Sequence, residues 1–159
     1  MQFSPLQRNL VFQALDEAEE RIKSYYCIPP FKWQQLRYDL LTREDREWEP
    51  LPSAMLARVR YLQEIKTRQS YDFYRIELND PSILTAAERE SLTKDLYLFL
   101  VFILTHEMVH LVRLSIILDD WIKLAAFAES EEWRVQDISR QILTISPEFR
   151  PVLKKFYTH

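Results

Sequence analysis

The sequence predicts a compact, mainly helical domain of the α+β class, in which a small β element precedes a buried central helix. Three observations lead to this prediction. The 159 residues include no glycine, which disfavours folds built on left-handed turns or glycine-rich phosphate loops. Hydrophobic residues make up 47% of the chain, enough for one core, so we expect residues 1–159 to form a single domain. Apolar residues also recur at helical spacing over long stretches.

The N-terminal segment predicts a long helix. Ser4 is the expected N-cap, Pro5 occupies the first helical position and Gln7 completes a capping box. Pro29-Pro30 ends the helix, because proline lacks the backbone N–H that a helix interior needs. Cys27, just before these prolines, is expected to be a small buried residue. The predicted buried stripe consists of Leu6, Leu10, Ala14, Leu15, Ala18, Ile22 and Tyr25.

Two helices and one strand are predicted between residues 32 and 78. One helix covers residues 32–41, and the other begins at the Ser53 cap. Tyr71–Leu78 alternates between two faces, which is the period of a half-buried strand. A lone strand needs a partner, and residues 59–66 supply one if they are extended instead of helical.

Helices are predicted to dominate the second half. Residues 79–81 form a turn, and Thr85 to Glu88 form a capping box that opens the longest helical region. That region extends to about Leu118, with a break near residues 91–93. A last helix is predicted over about residues 122–145, and prolines punctuate the short tail that follows.

One motif in the long helix carries chemistry, and it has the pattern H-E-x-x-H. His106 and His110 are four residues apart and therefore share a helix face, so that their ring nitrogens can converge on one zinc ion. Glu107 projects to the side of this face. From there it can reach a metal-bound water without being a ligand itself.

The surroundings of the motif are apolar on all sides of the helix, which predicts a buried helix. Two histidines and a carboxylate are costly to desolvate there unless they are paired, hydrogen-bonded or bound to a metal. We therefore expect a metal site in preference to a metal-free polar network. Residues 96–118 are also long enough to cross a bilayer, but four ionisable residues interrupt them, so no membrane span is expected.

Thr105 to His110, followed by a helix that bears glutamates, resembles the gluzincin branch of the zincin metallopeptidases. The resemblance covers about residues 72–143. It implies a zincin-like fold and a Zn²⁺ ion held by His106, His110 and a glutamate of the later helix. It also implies that Glu107 is the general base for peptide-bond hydrolysis. In this family the strand before the motif helix, here Tyr71–Leu78, holds an extended peptide or protein substrate.

Two adjacent glutamates are candidates for the third ligand. Glu131 lies in the middle of the apolar stripe of its helix, where a carboxylate needs a cation. Glu132 lies at the edge of that stripe, in line with small or polar residues that permit a close approach to the motif helix. Gln136, four residues later, is placed to hold the second nitrogen of a ligand histidine. We therefore prefer Glu132 to Glu131, and we expect Glu129 to point towards solvent.

Three further residues are considered near the motif. Arg113 lies one turn beyond His110 and is expected to form a structural ion pair with Asp119, Asp120 or one of the glutamates. Reception of a ligand or substrate carboxylate is its alternative role. Tyr74 and Tyr157 are the tyrosines considered for stabilising an oxyanion, and the sequence contains no geometry that selects either.

Charge and cysteine content narrow the function classes. The net charge is −3, with acids and bases spread evenly, so neither nucleic acid nor a membrane surface is an expected partner. A single cysteine and a start without a signal-peptide pattern indicate the cytoplasm. The leading hypothesis is a zinc metallopeptidase. The alternatives are a protein with a structural or regulatory zinc, and a helical interaction domain whose motif residues form a hydrogen-bond network.

Overall fold

The computed structural model describes residues 1–64, 71–117 and 129–157. It confirms a mainly helical α+β architecture with a small sheet before the motif helix. The helices are α1 (Pro5–Tyr26), α2 (Pro30–Trp33), α3 (Asp80–Arg89), α4 (Leu96–Val112), α5 (Glu129–Thr144) and α6 (Arg150–Phe156). The strands are β1 (Tyr38–Leu41), β2 (Ala57–Glu64) and β3 (Tyr71–Leu78). A π-helical turn, Arg113–Ile117, follows α4, and a 3₁₀ turn, Pro147–Phe149, precedes α6.

Helix α1 starts as the sequence predicts. The Gln7 amide donates to the Ser4 hydroxyl at 3.2 Å, and the Ser4 amide donates to the Gln7 side chain at 2.9 Å. The buried stripe is narrower than predicted, because Leu6 is 78% exposed and Tyr25 is 40% exposed. The buried side chains of the helix are those of Val11, Ala14, Ala18 and Ile22.

The prediction that Cys27 is buried is wrong. Cys27 is exposed, and it caps the C-terminus of α1 in the left-handed conformation, with φ 51°. Its amide lies near the last carbonyls of the helix, which is the usual arrangement at a helix C-terminus.

The sheet has the strand order β1-β3-β2. The strand over Tyr71–Leu78 is confirmed as β3, and residues 57–64 are its antiparallel partner. The alternative helix that begins at Ser53 is therefore wrong. The helix over residues 32–41 is also wrong, because only Pro30–Trp33 is helical and Tyr38–Leu41 pairs in parallel with β3. For Tyr38–Leu41, pairing with a strand more than thirty residues further along the chain outweighs the local helical pattern.

The predicted break near residues 91–93 is confirmed, but the helix start at Thr85 is wrong. Helix α3 already begins at Asp80, whose buried carboxylate accepts the Phe3 amide at 2.9 Å and the Arg43 amide at 3.1 Å. Ser91 then adopts φ 57°, which ends the helical run before α4 begins at Leu96. Tertiary contacts of Asp80 and the proline next to it thus define the helix start instead of a local capping box.

Helix α4 is the core of the fold. Helices α1 and α5 and strand β2 pack against it, and thirteen of its residues are buried. Residues Leu96–Ser115 are apolar and long enough to cross a membrane, yet 78% of the most apolar window is buried inside the protein. That burial is typical of the core helix of a soluble domain. The same helix carries the H-E-x-x-H motif, so the site is built on the most rigid element of the molecule.

Candidate metal centre

The two histidines of the motif face helix α5 and meet one glutamate there. The His106 and His110 rings lie side by side, with their centroids 5.0 Å apart. Glu132 reaches both: Oε1 is 2.8 Å from Nε2 of His106, and Oε2 is 2.9 Å from Nε2 of His110. One ligand atom from each of the three residues lies within 4.8 Å of the others.

This donor set fits zinc. Two imidazole nitrogens and one carboxylate are common ligands of catalytic Zn²⁺ sites, at about 2.0–2.2 Å from the ion. The three side chains converge from two packed helices, and small adjustments convert their mutual hydrogen bonds into bonds to a shared cation. The Glu132 side chain is 48% exposed, against 14% for His106 and 19% for His110. The cluster is therefore more open to solvent at the glutamate than at the histidines.

Glu107 lies beside the cluster and is buried, with 8% of its surface exposed. Burial raises the pKa of its carboxyl, while the charges of His106 and His110 oppose that shift. The hydrogen bonds from His106 and His110 lower the pKa of Glu132. The pKa values of these two neighbouring carboxyl groups are thus shifted in opposite directions. Glu132 stays an anion, whereas Glu107 accepts a proton more readily.

A cavity of about 330 Å³ adjoins the cluster. Glu107, both histidines and Glu132 form one wall. Apolar side chains from the segment before β2, from β2 and from the π-helical turn after α4 form much of the rest; they include Met55, Ala57, Val59 and Leu114. A second cavity of about 300 Å³ also borders His106, Glu107 and Glu132, and it is lined further by Phe102, Gln136, Phe156 and Tyr157. The cluster therefore lines two recesses, of which the first is mainly apolar.

The other candidate ligand, Glu131, binds a different cation. Its carboxylate forms a bidentate ion pair with Arg113, whose Nη2 lies 3.1 Å from Oε2 of Glu131. Only 8% of the Arg113 side chain and 12% of the Glu131 side chain are exposed. The cation that Glu131 was expected to need is thus the Arg113 guanidinium. The expectation that Arg113 pairs with a glutamate is confirmed.

The contact of Tyr157 with a ligand histidine was not predicted from the sequence. Its hydroxyl forms a hydrogen bond with Nδ1 of His106, on the side of the ring opposite Nε2. The role expected of Gln136, holding the second nitrogen of a histidine, thus falls to Tyr157 at His106, and Gln136 lines the second cavity instead. The hydroxyl thus lies on the Nδ1 side of the ring, whereas Nε2 faces Glu132. Burial raises the pKa of Tyr157.

Tyr74 also lies away from the centre. It is 1% exposed in the core, on the middle strand of the sheet, where its ring packs 5.4 Å from that of Tyr61. It lines neither of the two cavities that flank the histidines. The oxyanion role considered for it has no support in this geometry.

The strand that faces the site is β2, and the expectation that Tyr71–Leu78 holds a substrate is wrong. As β3, that segment is the middle strand: it pairs with β2 along its length and with β1 over Tyr74–Glu77, where no edge is open. Within the described chain, β2 is the edge strand next to the cluster. The Asn79 amide donates to the Leu56 carbonyl at 2.9 Å, and the antiparallel pattern alternates from there. Ala57 and Val59 consequently direct their backbone N–H and C=O groups away from β3, towards the open edge.

Some predicted features lie outside the described residues. These are Asp119 and Asp120, the start of the last helix before residue 129, the side chain of Glu129 and the C-terminal His159. His106, His110, Glu132 and the residues named here for the two cavities all belong to the described part of the chain.

Comparison of the chain with protein-family models, with curated proteins and with solved structures finds no significant match. The resemblance to gluzincins therefore rests on the motif and on the later glutamate, as it does in the sequence.

Proposed function

We propose that this protein is a zinc-dependent metallopeptidase, with His106, His110 and Glu132 as ligands and Glu107 as general base. The observation that carries the proposal is the convergence of these residues from two helices, with Glu107 buried beside them. Distance in sequence makes this convergence informative, since Glu132 lies 26 residues beyond His106. The two histidines are close because they lie one helical turn apart on α4. Glu132 reaches them only because α5 packs against α4.

Each residue of the cluster has a separate task in this proposal. Zinc, when bound, supplies a Lewis acid that polarises a carbonyl and lowers the pKa of a bound water to about 7. Glu107 accepts a proton from the attacking water and delivers it to the leaving amine. Its buried position suits this task, because burial raises the carboxyl pKa towards the working range of a general base. Glu132 remains ionised and would be the third ligand.

The substrate in this proposal is an extended peptide or an unfolded segment of a protein. The outward N–H and C=O groups of Ala57 and Val59 can pair with a peptide backbone at the edge of β2. The mainly apolar cavity beyond His110 can accept an apolar side chain next to the bond that is cleaved. The cytoplasmic location also belongs to the proposal and rests on the low cysteine content.

Replacing Glu107 with glutamine is the experiment that tests the enzymatic part. The change keeps size and shape, and glutamine cannot act as a base. Hydrolysis of a peptide library by zinc-loaded protein should fall by at least 10²–10⁴-fold, while zinc content and thermal stability stay near the wild-type values. Equal inactivity of wild type and variant, with zinc held in both, would contradict the hydrolase assignment and leave a structural or regulatory zinc.

A metal-free polar network is the second candidate, and one observation favours it. Glu132 already satisfies both histidines at hydrogen-bond distances of 2.8 and 2.9 Å. In that case the motif residues would specify the packing of α4 against α5, and the protein would act as an interaction domain. Metal content after purification separates this candidate from the first, because a pure hydrogen-bond network retains no zinc.

A further inference from the structure

Tyr157 is held in place from three sides. It directly follows α6, and its amide donates to the Leu153 carbonyl at 2.8 Å. Its ring packs on Phe102 of α4, with the centroids 4.8 Å apart, and the Arg140 guanidinium of α5 lies 5.6 Å from the ring centroid. The residue is 8% exposed. Since helices α4 and α5 both fix the ring, the position of the hydroxyl is determined by the fold.

The chemistry of the histidine gives the direction of the hydrogen bond. A neutral imidazole carries one proton, and a nitrogen that binds a metal must be the one without it. If Nε2 of His106 binds zinc, the proton is on Nδ1. That N–H then donates to the Tyr157 oxygen, which accepts with a lone pair. The opposite tautomer would place a proton between His106 and the ion and would block coordination.

We propose that Tyr157 is a positioning residue for the metal centre: its hydroxyl accepts a hydrogen bond from Nδ1–H of His106 and holds that ring with Nε2 aimed at the shared cation. The inference rests on the metal site of the proposed function and does not depend on hydrolysis. The hydroxyl lies on the Nδ1 side of the ring, away from Nε2, so Tyr157 acts on the ion only through His106.

A neutral acceptor at this position has a specific consequence. A carboxylate behind a ligand histidine orients the ring and also adds negative charge near the ion. A tyrosine hydroxyl orients the ring without that charge. Glu132 is then the one anionic ligand of the cluster. The ion therefore keeps more of its Lewis acidity than it would with a carboxylate hydrogen-bonded to His106. The C-terminal end of the described chain thereby becomes part of the metal centre, 51 residues after His106.

Tyr157→Phe tests the proposal, because it keeps the ring packing and removes the acceptor. Zinc affinity, measured by competition with a chromophoric chelator, should fall by 10–100-fold, as expected for loss of an outer-shell partner. The matched control is Tyr97→Phe: Tyr97 is on the same helix as His106, but its hydroxyl donates to Glu17 at 2.8 Å. Tyr97→Phe should leave zinc affinity unchanged. Equal zinc affinity of wild type and Tyr157→Phe would overturn the proposal.

A second measurement does not depend on the variant. Long-range ¹H–¹⁵N spectra of zinc-loaded wild type distinguish the two histidine tautomers, and His106 is expected to carry its proton on Nδ1. A proton on Nε2 in the loaded protein would overturn both the ligand assignment and the role of Tyr157. Zinc binding with the expected tautomer but no effect of Tyr157→Phe would overturn the positioning role alone, and the proposed metal site would stand.

Discussion

The substitution Glu132→Gln is expected to abolish tight zinc binding by this protein. Glu132 contributes the carboxylate that both histidines contact. A neutral amide is a weaker ligand, and its N–H₂ group cannot accept from either imidazole. The loss of affinity should exceed the 10–100-fold expected for an outer-shell residue. Isothermal titration of the metal-free protein with zinc measures the effect directly.

Thermal unfolding supplies a second readout for the same variant. Zinc that binds the folded state stabilises it, by about 2.7 kcal/mol when free zinc is 100 times the dissociation constant. Wild type should gain this stabilisation, and Glu132→Gln should not gain it at the same zinc concentration. Glu148→Gln is the matched control, because Glu148 is exposed on the 3₁₀ turn before α6 and lines neither cavity at the cluster. If Glu132→Gln binds zinc as tightly as Glu148→Gln, Glu132 is not a ligand.

Replacing Arg113 with methionine is expected to destabilise the fold by about 3–5 kcal/mol, the usual cost of breaking a buried ion pair from one side. The guanidinium is the bidentate partner of Glu131, and both side chains are nearly buried. Its removal takes away the cation that the described residues place beside the Glu131 carboxylate. Urea unfolding of the metal-free protein measures the free-energy difference without a contribution from zinc.

The double variant Arg113→Met/Glu131→Leu serves as the control for this prediction. It removes both charges together, and apolar replacements of a buried pair are often neutral or stabilising. It should therefore recover most of the stability that Arg113→Met loses. A cost below about 1 kcal/mol for Arg113→Met alone would show that this pair behaves like a surface salt bridge.

Local signals in the sequence account for the parts of the fold that were predicted correctly. The capping box at Ser4, the alternation of Tyr71–Leu78 and the apolar run around the motif each depend on residues close together in the chain. The spacing of His106 and His110 gives a shared helix face by helix geometry alone. These features do not require knowledge of a distant partner.

Distant partners explain what was missed. Tyr38–Leu41 forms strand β1 because it pairs with β3, although its local pattern predicts a helix. The position of Glu132 on its helix favoured it over Glu131, but the ion pair that Glu131 forms with Arg113 depends on the tertiary fold. Tyr157 reaches His106 across 51 residues through a helix that the sequence presents as a short tail between prolines. No pattern within a window of residues carries that information.

Native mass spectrometry after equilibration with limiting zinc tests the central claim most directly. Wild-type protein should carry one zinc ion per chain, and His106→Ala, His110→Ala and Glu132→Gln should each carry almost none while remaining folded enough to be measured as monodisperse species. Wild type without zinc, or a zinc ion retained in all three variants, would contradict the assignment of His106, His110 and Glu132 as a metal centre.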